Sequence, residues 1–88
     1  MAVYLYRKAA EQGDISAQNN LSILYENGQG VTQDYIQAYA WLSVAIANGS
    51  SDENTIARRD RIASRLSSEK LGKAQEISAS YFKQYSGE

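Results

Sequence analysis

The sequence predicts an all-α protein of about five antiparallel helices. Three observations carry that expectation. Apolar residues recur at three- and four-residue spacing and nowhere alternate with period two. Proline, which kinks or ends helices, is absent from all 88 positions. Glycines at 13, 28, 30, 49 and 87 each stand where a stretch of helical periodicity stops.

Each helix has its own justification. The first is expected from Ala2 to Gln12, with Val3, Tyr6, Ala9 and Ala10 on one side and Gly13 as a left-handed C-cap. Asp14 is placed to cap the second helix, its carboxylate accepting from free N–H groups of the first turn. Ala17, Leu21, Leu24 and Tyr25 form that helix's apolar stripe, and Asn27-Gly28-Gln29-Gly30 stops it. Thr32 is expected to open the third helix, with Asp34 in its first turn and a stripe of Tyr35, Ala38, Trp41, Leu42 and Ala45. The string Ser50-Ser51-Asp52-Glu53 fits a capping box that starts the fourth helix, whose buried side is expected at Ile56, Ala63 and Leu66, with Ile62 a further candidate. Ser67-Ser68-Glu69 reads as a turn and new cap. The fifth helix then runs to about Tyr85, with Leu71, Ala74, Ile77, Ser78, Tyr81 and Phe82 on its apolar side.

Composition excludes much chemistry. Cysteine is absent, so there are no disulfides, thiolate metal sites or cysteine nucleophiles. Histidine is absent too, which removes the usual general base and the commonest metal ligand. No cofactor and no metal site is expected. No apolar run approaches the roughly 20 residues of a membrane span, so no membrane insertion is expected. The net charge is −1, with two basic against four acidic residues up to Asn48 and seven against six beyond it. Neither part has the strongly basic balance that phosphate-backbone binding relies on.

Four patterns could still suggest chemistry, and each has a stronger structural account. Gly28-Gln29-Gly30 resembles a phosphate loop, but it follows a helix and lacks the Gly-Lys-Ser/Thr continuation, so a helix–helix turn with positive φ is expected. Trp41 with Tyr25, Tyr35 and Tyr39 could form an aromatic ligand box, yet their inward placement at helical spacing fits core packing, with the hydroxyls at the surface or on backbone carbonyls. Arg58, Arg61 and Arg65 share one face of the fourth helix, where Asp52, Glu53 and Asp60 dilute the field; a solvated face or local ion pairs are expected, with nucleic-acid binding the weaker alternative. Glu53 and Asp60 lie at i, i+7, but no pocket that would shift either carboxyl is foreseen. The S-x-x-K spacing at Ser67 to Lys70 falls on a helix start and lacks a companion motif, so Ser67 or Ser68 reads as a cap.

A shift of 36 residues lays Ala2–Gly13 over Ala38–Gly49, with Ala2 on Ala38, Tyr6 on Leu42, Ala9 on Ala45 and Gly13 on Gly49. That is a helix–turn–helix repeat length. The string Ala17-Gln18-Asn19-Asn20-Leu21-Ser22, then Leu24-Tyr25-Glu26-Asn27-Gly28-Gln29-Gly30-Val31, then Asp34, Ala38, Trp41-Leu42, Ala45 and Gly49, resembles the Sel-1-like repeats, a family related to tetratricopeptide arrays. The resemblance covers residues 2–49, and Ser22 stands where the family prefers glycine, which implies a slightly looser helix approach there. Residues 50–88 leave the motif and look like a C-terminal cap. The resemblance implies a right-handed αα superhelix with the second helix of a partial repeat at 2–13, a complete repeat at 14–49 and capping helices at 50–88. It also implies a non-catalytic interaction scaffold, commonly bacterial and in multiprotein or envelope-associated settings, that presents a concave surface to a protein or peptide. By analogy with such repeats, Asn19, Ile23 and Glu26 form the candidate partner-binding stripe; the alternative for Ile23 is packing against the fourth helix. An oligomerisation module without a groove ligand is the rival reading.

The run Val3-Tyr4-Leu5-Tyr6 cannot all be buried by one helix rotation, which predicts an exposed patch. Val3, Tyr4 and Tyr6 are accordingly candidates for self-association as a homodimer, and the chain is expected to be a piece of a longer array. Compartment is not written in these residues; a signal peptide could precede them in a longer protein.

Overall fold

A computed structural model describes residues 2–50 and 52–85. Five helices follow one another: α1 (Ala2–Glu11), α2 (Ile15–Asn27), α3 (Tyr35–Ala47), α4 (Glu53–Ala63) and α5 (Ser68–Tyr85). No strand occurs among the described residues. The fold is the all-α helical repeat that the periodicity predicts.

Helix α3 is the centre. Ala38, Ala40, Trp41, Leu42, Val44 and Ala45 are all buried, because α2, α4 and α5 each pack against it. Helix α1 leans on α2 and just meets α5. The central cluster joins Ala10, Ala17, Leu21, Tyr25, Ala38, Trp41, Leu42 and Ile62, with Val3, Tyr6, Val31, Tyr35, Tyr39, Tyr81 and Tyr85 packed on its edges. Trp41 is stacked between elements, its ring 4.6 Å from that of Tyr81 and 5.6 Å from that of Tyr85. Aromatic contacts at these spacings add to simple burial.

Carboxylates set the helix starts. Asp14 Oδ1 accepts from Ala17 N at 2.9 Å. Asp34, not Thr32, caps α3: its Oδ1 accepts from Ile36 N and Gln37 N, so the helix opens at Tyr35. Asp52 rather than Ser50 caps α4, accepting from Thr55 N at 2.8 Å and from the Thr55 hydroxyl at 3.0 Å. Asp52 lies one residue before the helix and reaches those donors directly, while Ser50 Oγ is taken by Asn19 Nδ2. Ser51, the other member of the expected box, lies outside the described residues. Those bonds, backbone first, hold the Asp52 carboxyl below its usual range. Ser67 Oγ accepts from Lys70 N, which makes it the cap of α5.

The turn between α2 and α3 needs its glycines. Gly28 (φ 68°) ends α2 with its N–H on Leu24 O, and Gly30 sits at φ 78°. A Cβ at Gly28 would lie 3.3 Å from Gln33 Cβ, and one at Gly30 3.1 Å from Val3 Cγ2.

Several faces differ from expectation. In α2, Gln18 and Ser22 are buried and Leu24 is only half-buried. The burial of Gln18 is possible because its amide is satisfied: Nε2 donates to Ala10 O at 3.0 Å and Tyr85 O at 3.1 Å, and Oε1 accepts from Asn48 Nδ2. In α4, Thr55 and Ile62 are the buried residues and Ile56 and Ala63 are half-buried, while half-buried Leu66 lies beyond the end of the helix, in the turn to α5. In α5, Ala74 is fully buried and Phe82 is exposed, because that helix touches its neighbours along a narrow stripe. The hydroxyls of Tyr25 and Tyr35 meet side chains, not backbone: Tyr25 accepts from Arg7, and Tyr35 accepts from Gln33 and Arg65.

Candidate functional site

The candidate stripe lies where α2 faces α4. Asn19, Ile23 and Glu26 are each half-buried and follow one another along α2 at helical spacing. Long side chains bridge the gap to α4. Arg58 Nη2 donates to Ser22 Oγ at 2.9 Å, and its Nη1 reaches Asn19 Oδ1 at 3.4 Å. Arg61 Nη2 donates to Glu26 Oε2 at 2.8 Å, and Arg58 lies 3.6 Å from Glu26 Oε1. The expected local pairing on α4 is therefore corrected: Arg58 and Arg61 both turn to Glu26 of another helix.

The two contacts differ in weight. The Arg61 side chain is 54% exposed, while Arg58 and Glu26 are 20% and 16% exposed. Solvent screens the Arg61 pair more strongly, although it is the shorter. Ser22, the departure from glycine, does more than loosen an approach: its hydroxyl gives Arg58 an acceptor at the centre of this face. Ile23 lies between Asn19 and Glu26 as a half-buried apolar side chain.

Arg65 stands apart from Arg58 and Arg61. Its guanidinium lies 5.9 Å over the Tyr35 ring, and Nη1 donates to the Tyr35 hydroxyl at 3.3 Å. An open cleft of about 270 Å3 separates it from Glu26 and is lined also by Gln33, Arg61 and Ile62. Sequence spacing places Arg65 on the face of the fourth helix, but α4 ends at Ala63 and Arg65 lies in the turn after it, seated on Tyr35. The two are 30 residues apart, and no spacing rule connects them.

The self-association candidates separate. Tyr4 is 60% and Leu5 66% exposed, while Val3 and Tyr6 are half-buried against the core. Lys8 Nζ lies 5.6 Å over the Tyr4 ring. Leu5, which is not among the sequence candidates, is the most exposed apolar member of the patch. Among the described residues there is no group of three or more potential metal ligands, and no helix is long and apolar enough to cross a membrane.

Helix after helix packed in register, with a glycine turn and a small-residue stripe recurring at one period, defines an αα helical-repeat protein. The Sel1 repeat profile matches residues 1–14 and 15–50, and the chain belongs to that family. It is similar in structure to c5321, a protective antigen present in uropathogenic Escherichia coli strains and displaying an SLR fold, at a TM-score of 0.87 and 33% sequence identity. The likeness covers 96% of this chain and 18% of that one, so the chain spans under a fifth of that protein's length. No curated protein matches the chain. Repeats of this family generally mediate protein–protein interaction and are generally non-catalytic.

Proposed function

We propose that this chain is a non-catalytic scaffold that binds a protein or peptide on the face shared by α2 and α4, through Asn19, Ile23 and Glu26 with Arg58 and Arg61 beside them. The supporting observation is Ile23, a half-buried apolar side chain that follows Asn19 and precedes Glu26 along α2, both of which bond arginines of α4. Such a centre with a polar rim is how specific interfaces are built. Helices α4 and α5 cap the repeat. The lack of histidine and cysteine supports a non-catalytic role.

Substitution at Asn19 or Glu26 is a poor test, because both also tie α2 to α4. A photo-crosslinking residue at position 23 is cleaner. In the cells that make the protein it should form one discrete adduct with another protein, and the same residue at exposed Glu76 on α5 should not. Adducts at 76 alone, or at neither position, would contradict the proposal.

A second reading has its own observation in exposed Tyr4 and Leu5. Under it the chain pairs with a second copy through α1. Sedimentation equilibrium over a hundredfold concentration range should then show a dimer that Leu5→Glu abolishes. A monomer throughout ends this reading. Tyr6→Glu is unsuitable, because Tyr6 packs on the core.

A further inference from the structure

A second open cavity, of about 240 Å3, adjoins the first where the α2–α3 turn meets the α4–α5 turn. The two share Gln33, Tyr35 and Arg65. Arg61 borders the first and Lys70 the second, giving three basic groups against the carboxylates of Glu26 and Asp34. Both carboxylates are already engaged. Glu26 accepts from Arg61 with Arg58 beside it, and Asp34 Oδ1 accepts from the N–H groups of Ile36 and Gln37. Among the described residues Arg65 and Lys70 form no ion pair.

Arg65 is also held in place. Its bond to the Tyr35 hydroxyl uses one of five guanidinium N–H donors. Gln33 Nε2 donates to the same hydroxyl at 3.2 Å and to Glu26 O at 3.0 Å, which fixes the ring from the other side. A planar donor fork oriented in advance fits a carboxylate, and it loses little freedom on binding one. The two cavities share lining residues and so form one continuous surface at the junction of two turns, across which a peptide segment can reach both Arg65 and Lys70. Phosphate-backbone binding calls for a run of basic groups, and here Arg58 and Arg61 are turned to Glu26 in a chain of net charge −1.

We infer that the paired cavities form a binding site for an acidic peptide segment of a partner protein, with its carboxylates on Arg65 and Lys70. This rests on the scaffold reading and adds the chemistry of the partner. The test is a titration of the 15N-labelled chain with blocked Gly-Glu-Asp-Glu-Gly, followed by amide and arginine Nε shifts. Saturable shifts should centre on Gln33, Tyr35, Arg65 and Lys70, and the neutral counterpart Gly-Gln-Asn-Gln-Gly should cause none. Arg65→Gln should weaken binding about tenfold, and Lys70→Gln, at an exposed position, severalfold. Tyr35→Phe keeps the ring but releases the guanidinium, so it should also weaken binding. Lys73→Gln, exposed on α5 outside both cavities, should leave affinity unchanged. Absence of saturable shifts, equal shifts with inorganic phosphate or oligouridylate, or an equal loss in Lys73→Gln would overturn the inference. The crosslink at position 23 keeps the two ideas distinct: if it forms while the peptide fails to bind, the acidic-segment inference alone falls.

Discussion

Two glycines of this chain call for opposite substitutions. Gly72 lies inside α5 with nothing within 4 Å of a would-be Cβ and no left-handed backbone. Gly72→Ala should therefore raise stability by roughly 0.5–1 kcal/mol, since alanine forms helix better and restricts the unfolded chain. Gly28 holds φ 68° with Gln33 Cβ 3.3 Å away, so Gly28→Ala should lower stability by about 1–2 kcal/mol. Urea unfolding of both variants checks the pair, and a common sign would mean that one backbone assignment is wrong. Asp52 brings pH into the account. Its carboxyl is lowered by the Thr55 N–H and hydroxyl, so its contribution is complete above the ordinary carboxylate range and lost as pH falls through the lowered folded value. An asparagine in its place could still cap α4 but cannot titrate. The thermal midpoint of Asp52→Asn should consequently fall less than that of the parent between pH 5 and about pH 2; parallel curves would refute the assignment.

At the scale of elements, the helices and their ends were largely legible. Glycine turns, the Asp14 cap and the 36-residue recurrence are local signals, whereas the caps of α3 and α4 are Asp34 and Asp52, not the expected Thr32 and Ser50. What stayed illegible was which polar residues go inside. Gln18 reads as solvent-facing until Ala10 O, Tyr85 O and Asn48 are brought around it, and Tyr85 is 67 residues away. Gln18→Leu keeps the bulk but strips these partners, and it should cost about 1–3 kcal/mol. If unfolding midpoints show no loss, the amide is dispensable. The bridge from α4 to α2 was hidden for the same reason. Arg58 is 36 residues from Ser22, and a charged stripe on one helix says nothing about the carboxylate that another helix will offer.

At the scale of the whole molecule, the stacked aromatic rings lie between α3 and α5, and the proposed docking face lies on α2 and α4. Trp41 is fully buried and ties α3 to α5 through Tyr81 and Tyr85. Trp41→Ala should cost about 3–5 kcal/mol and leave the end of α5 the first to lose amide protection, because Tyr81 and Tyr85 lose the ring they pack on. The family and the fold were readable because the repeat repeats. The partner was not, since a docking face is assembled from several elements and its ligand leaves no trace in the chain. The face of α2 and α4, continuing to Tyr35 and Arg65, is the proposed seat of a partner protein. Hydrogen–deuterium exchange on the complex with the protein captured at position 23 measures this directly. Exchange should slow in residues 19–27, 33–36 and 58–66, with α1 and the middle of α5 unchanged. Protection confined to α1 around Tyr4 and Leu5, or to α5, would contradict it.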